Sequence, residues 1–127
     1  MQPDYWTRFI HEHGLAGAEL EVPADADVSG LGIELQFFDE EGTRSEAEDL
    51  YPGIRVREDG FIPVAGDSLG SGDPYFINVR DGDGGPLYRI CHDAVRETGY
   101  NRSEAVVVVL KDYRELLAYA QGRRTSR

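Results

Sequence analysis

Cysteine, lysine, tryptophan and methionine each occur only once in this 127-residue chain, as Cys91, Lys111, Trp6 and Met1. A lone cysteine excludes an intramolecular disulfide framework and any multi-cysteine zinc site. Long apolar runs are missing too. The longest, Ala105–Leu110, has six residues, far short of the ~20 that cross a bilayer. The opening residues contain no apolar h-region, so no signal peptide is expected. Bases are scarce in the first half: residues 1–60 hold 15 acids against 4 bases, whereas 61–127 hold 9 of each. All of the net charge of −11 therefore lies in the first half. Such a surface repels phosphate backbones and anionic lipid, which argues against nucleic-acid and membrane partners.

What is present suffices for one globular domain. Apolar residues make up 40% of the chain, and ~100–200 residues per domain gives one domain, over 1–122, with a polar tail at 123–127. The expected location is the cytoplasm.

Trp6, Phe9, Ile10 and His13 recur at i, i+3, i+4 and i+7, which predicts a helix over Pro3–His13 ended by Gly14. A short strand is expected at Glu19–Val22 and an alternating, half-buried one at Gly32–Asp39. Thr43–Tyr51 reads as a short helix, capped through Thr43 with Glu46 or Ser45 with Glu48 and ended by Pro52-Gly53. Phe61–Ala65 is a short strand in which Pro63 predicts an edge position or a bulge. Gly66–Asp73 reads as loop. Pro74–Arg80 and Pro86–His92 are two strands around the connection Asp81–Gly85, a longer hairpin loop. Asp93–Ser103 reads as polar loop, and the run Val106–Leu110 as a central strand buried on both faces. Asp112 with Glu115 forms a capping box for a last helix with Tyr113, Leu116, Leu117 and Ala120 on its apolar face, ended by Gly122. This order predicts an α+β fold: a mixed or antiparallel sheet of about five to six strands flanked by N-terminal and C-terminal helices.

Three strings invite a chemical reading. Gly66-Asp67-Ser68-Leu69-Gly70 fits the G-x-S-x-G nucleophile elbow and resembles the esterase family named for Gly-Asp-Ser-Leu. An elbow turns from strand to helix, however, and here Gly70, Gly72 and Pro74 lead into a strand. The one histidine after Ser68 is His92, and the esterase family's Asp three residues before its histidine is replaced by Arg89. Cys91-His92-Asp93 contains nucleophile and base types, but adjacent strand residues point to opposite faces. Asp81-Gly82-Asp83-Gly84-Gly85 has aspartates at alternate positions, as calcium loops do, yet Gly85 and His92 occupy the fifth and twelfth positions where further ligands belong. A turn that uses glycine for left-handed backbone explains it better. His11 and His13 are two apart on a helix and cannot chelate together. No phosphate loop or dinucleotide fingerprint is present. No cofactor, no metal and no catalytic residue are expected.

From residue 51 on, a series of blocks is more specific. Tyr51-Pro52-Gly53, Asp59-Gly60-Phe61-Ile62-Pro63-Val64-Ala65, Gly70-Ser71-Gly72-Asp73-Pro74-Tyr75-Phe76-Ile77, Gly85-Pro86-Leu87-Tyr88-Arg89-Ile90 and His92-Asp93 together resemble the SUKH superfamily. That superfamily includes yeast cell-wall-assembly regulators and many bacterial immunity proteins. The likeness covers roughly residues 50–120. It implies an α+β fold without catalytic residues, in which the glycines serve turns and Tyr75, Phe76 and Tyr88 serve packing. It also implies a role in binding and neutralising a cognate toxin, often a nuclease. A regulatory adaptor for a housekeeping protein is the alternative, and a small serine esterase acting through Ser68 is the remote one. An acidic protein that blocks a cationic groove is physically sound, because complementary charge speeds encounter. The partner-binding surface is accordingly expected among Glu19, Glu21, Asp25, Asp27, Glu34, Asp39, Glu40, Glu41, Glu46, Glu48 and Asp49.

Overall fold

Pro3 sets an extended backbone ahead of helix α1 (Asp4–Glu12), and its carbonyl accepts the N–H groups of Trp6 and Thr7. The computed structural model describes residues 2–50, 53–68, 73–96 and 98–119. Trp6, Phe9 and Ile10 form the buried stripe of α1, as their spacing predicts. Gly14 follows with φ of 61°, left-handed backbone that most side chains avoid.

Strand β1 (Glu19–Val22) alternates exposed glutamates with buried Leu20 and Val22. It pairs antiparallel with β2 (Ile33–Phe37), Leu20 opposite Leu35. Helix α2 (Glu40–Glu48) starts earlier than either capping box predicts, because the Asp39 carboxylate accepts the Gly42 N–H at 2.7 Å. Thr43 does not cap. It is fully buried and its hydroxyl donates to the Pro63 carbonyl at 2.8 Å, pinning α2 to the sheet. A short helix α3 (Gly53–Val56) and a 3-10 turn, Arg57–Asp59, follow unforeseen. Gly53 thus opens a helix rather than ending one, while Tyr51 and Pro52 lie outside the described residues.

Strand β3 (Phe61–Asp67) runs two residues further than its apolar stretch suggests. Pro63 takes the bulge alternative: the register with β4 (Tyr75–Asn78) shifts between Pro63 and Ala65, inside the sheet. The turn expected from Gly70 and Gly72 lies outside the described residues. β4 and β5 (Leu87–Ile90) form the expected antiparallel hairpin. The stretch expected as polar loop after Asp93 folds further, into β6 (Val95–Arg96), β7 (Gly99–Tyr100) and helix α4 (Arg102–Ala105), capped by Asn101. The buried side chains of Val95 and Ala105 hold these fragments down.

Strand β8 (Val106–Leu110) corrects one expectation: among the described residues it pairs with β5 alone and closes the sheet order β1-β2-β3-β4-β5-β8 at an edge, not the centre. Its unbroken apolar run reflects cover on both faces. Val109 and Leu110 enter the main core, whereas Val106 and Val108 pack on a second one. The six-stranded antiparallel sheet is curled, and the β1–β2 loop reaches the far edge, where the Val28 N–H donates to the Val109 carbonyl at 2.8 Å. After β8 the Asp112–Glu115 capping box is present, and helical backbone continues through 113–119.

The fold is α+β with two cores. In the main one Trp6, fully buried, meets Tyr113 edge-on with ring centroids 5.0 Å apart, beneath side chains from all six strands. The second holds Val56, Phe61, Phe76, Tyr88, Ile90, Val95 and Ala105, and no residue of β1 or β2 belongs to it. The outward face of β1 and β2 is consequently left to polar side chains.

Candidate functional site

Glu19, Glu21 and Glu34 line an open cleft of about 400 Å³, together with Leu20, Leu35, Ser68 and Tyr119. Strand alternation gives the glutamates the outward positions of β1 and β2, since Leu20, Val22 and Leu35 take the inward ones. Among the described residues no cationic nitrogen lies within 4 Å of these three carboxylates. β1 is moreover an edge strand, paired among the described residues with β2 alone.

The other acids of the expected surface are not gathered into this cleft. Asp25 is exposed on a 3-10 turn after β1. Asp27 is a correction. It is only 5% exposed, and its carboxylate accepts the Ser29 N–H and hydroxyl at 2.8 Å, holding the β1–β2 loop. Asp39 caps α2, and Glu40 accepts the Gln2 N–H at 3.2 Å, so both have structural work at the start of that helix. Glu41, Glu48 and Asp49 are exposed, whereas Glu46 is half-buried and its carboxyl is pushed up by burial.

Ser68 is exposed in the turn that follows β3, its N–H donating to the Glu34 carbonyl at 2.8 Å. The residues that would form the rest of an elbow, 69–72, lie outside the described residues. The His92 ring stands between two carboxylates, Nδ1 at 2.6 Å from Asp73 and Nε2 at 3.1 Å from Asp93. The hydrogen bond to Asp73 is the main cause that raises its pKa above the ordinary histidine value. Burial, first, and the charge of Asp73 push the neighbouring Cys91 thiol up, away from a reactive thiolate.

The Asp81–Gly85 connection uses its glycines as expected, with φ of 74° at Gly82 and 76° at Gly84. Its aspartates accept tyrosine hydroxyls: Tyr88 donates to Asp81 at 2.7 Å and Tyr113 to Asp83 at 2.6 Å. A third such pair, Tyr100 to Asp59 at 2.5 Å, ties β7 to the turn before β3. Sequence reasoning missed all three, since the partners stand 7, 30 and 41 positions apart and follow no local spacing. Among the described residues no group of three or more His, Cys, Asp and Glu is placed to hold a metal ion.

A second cleft, of about 260 Å³, is lined by Leu31, Gly32, Asp67, Asp73, Tyr75, Arg89 and Cys91. Arg89 of β5 is buried, which sequence reasoning did not foresee.

The chain matches no protein-family model, no curated protein and no solved structure. No helix among the described residues is long and apolar enough to cross a membrane.

Proposed function

We propose that this chain is a non-enzymatic protein-binding domain that neutralises a cognate bacterial toxin by occupying a basic surface of it. The observation that carries the reading is the cleft at Glu19, Glu21 and Glu34, three carboxylates on an edge strand and its neighbour with no cation within 4 Å among the described residues. Keeping like charges together is unfavourable in the free protein, and a cationic partner relieves it. A cleft of about 400 Å³ takes an arginine side chain, whose planar fork suits carboxylates. The SUKH-like blocks over roughly 50–120 support the same role. A cytoplasmic site of action and a nuclease as the toxin fit the acidic charge, which mimics a polyanion.

Co-purification with the product of the adjacent gene tests this reading. Capture of a toxin domain, lost in the Glu19→Lys/Glu21→Lys/Glu34→Lys variant but kept when Glu41 and Glu48 are reversed, supports it. Equal capture by both variants removes the cleft from the interface, and capture of a housekeeping protein instead moves the reading to a regulatory adaptor.

A further inference from the structure

We infer, resting on the reading of the acidic cleft as the partner surface, that the free edge of β1 takes up an extended basic segment of the partner protein as a further strand, antiparallel like the rest of the sheet. The Phe37 N–H of β2 donates to the Ala18 carbonyl at 3.0 Å. Hydrogen-bonded pairs alternate along an antiparallel ladder, so Leu20 with Leu35 and Val22 with Ile33 are the next ones. The N–H and C=O groups of Glu19 and Glu21 therefore point away from β2, towards the open side. Among the described residues these groups have no hydrogen-bond partner. Both glutamates are exposed, so the edge is accessible at these two positions.

The side chains decide what the edge accepts. A strand added here sets two of its residues opposite Glu19 and Glu21 on the outward face, and the residue between them on the inward face with Leu20. Arginine or lysine at the two outward positions meets the carboxylates. A basic side chain opposite Glu21 also reaches towards Glu34, which shares its register position. An apolar residue suits the middle, so the recognised pattern is basic, apolar, basic. The cleft of about 400 Å³ is lined by Glu19, Leu20 and Glu21 in succession, which leaves open space alongside the strand for such a segment. A second copy of this chain is the wrong occupant. Antiparallel pairing of two β1 strands about Leu20 sets Glu19 against Glu21 twice, like charge against like.

Amide hydrogen exchange with the peptide acetyl-Thr-Arg-Val-Arg-Thr-amide tests the edge. In the free protein the Glu19 and Glu21 amides exchange fast while those of Leu20 and Val22 are protected. Saturating peptide slows Glu19 and Glu21 by at least about tenfold. N-methylation of both arginine amides removes the N–H donors and keeps the charge, and it weakens binding by at least about fivefold. The Glu19→Lys/Glu21→Lys variant loses the basic peptide and takes up acetyl-Thr-Glu-Val-Glu-Thr-amide instead. Equal binding of the methylated peptide, or unslowed amides at saturation, overturns the inference in favour of bare charge attraction. Protection that grows with protein concentration alone assigns the edge to a second copy and overturns it too. Toxin capture without peptide protection removes strand addition and leaves the toxin-binding role standing, and peptide protection without toxin capture does the reverse.

Discussion

Glu21 of β1 stands directly opposite Glu34 of β2, two like charges at one register position of an antiparallel pair. Such a pair costs about 0.2–1 kcal/mol, and no cation within 4 Å among the described residues offsets it. Glu21→Gln should therefore raise the urea midpoint by an amount worth about 0.2–1 kcal/mol. The same substitution should slow association with a basic partner and flatten its dependence on salt. Urea unfolding and stopped-flow association at two ionic strengths read the two effects. A lowered midpoint would show that the register pair is not under electrostatic strain.

Gly53 is fixed by a close approach rather than by its dihedral angles. A Cβ there would fall 2.0 Å from the Glu46 carbonyl oxygen and 2.8 Å from its carbon, so α3 begins with its backbone against the last turns of α2. Gly53→Ala should push the two helices apart at a cost of about 1–3 kcal/mol or more, as overpacking does. Gly17→Ala is the contrasting case: φ is +70° but nothing lies within 4 Å of the new methyl group. The cost there is the left-handed backbone alone, about 1–2 kcal/mol. Thermal unfolding of the two variants compares them, and Gly53→Ala should also shift the amide resonances of Glu46 and Ala47, which Gly17→Ala should leave in place.

The elements legible in the sequence are those in which local spacing and tertiary packing agree. The Trp6–Phe9–Ile10 stripe, the β4–β5 hairpin and the Asp112–Glu115 box all fold as their spacing predicts. The fragments α3, β6, β7 and α4 span two to four residues each, too few to show a period. They exist because Val56, Val95 and Ala105 each fill the second core. β8 misled for the converse reason: an apolar run reports cover on two faces, not the number of strand neighbours. Among the acids, charge counting could not separate Glu19, Glu21 and Glu34, which face a cleft, from Asp27 and Asp39, which accept N–H groups two and three residues ahead. That distinction depends on backbone direction.

The tyrosine–aspartate pairs should appear in the alkaline limb of the stability profile. Burial, first, and the hydrogen bond to a carboxylate push Tyr88 and Tyr100 up to about 12, and the same causes raise Tyr113 further. A phenol is charged only when it loses its proton, so a raised pKa means that the folded state holds protons the unfolded chain releases near 10. Their stabilising contribution is complete below pH ~10 and is lost as pH rises towards about 12. Tyr100→Phe should make the loss between those values shallower and cost about 1 kcal/mol at neutral pH, the worth of one hydrogen bond. Denaturant midpoints across the alkaline range, with tyrosinate absorbance as a second readout, check this. A slope identical to that of the unaltered protein would remove Tyr100 from the linkage.

His92 sets a second pH window, on the other side of neutrality. Asp73 lies 2.6 Å from Nδ1, and that hydrogen bond is the largest cause raising the imidazole pKa, with the Asp93 and Asp73 charges adding to it and burial opposing. A raised histidine pKa means that the folded protein keeps its proton after the unfolded chain has lost it near ~6.5. The contribution is fully present below that pH and is lost as pH rises through the folded-state value. The side chain is 41% exposed, so solvent screens the pair and the effect is a shallow slope rather than a transition. Asp73→Asn leaves an oxygen able to accept the His92 N–H but removes the charge. The variant should therefore lower the NMR titration midpoint of His92 and flatten stability against pH just above ~6.5. If His92 titrates at the same pH in both proteins, Asp73 does not hold the proton, and the 2.6 Å contact acts only to position the ring.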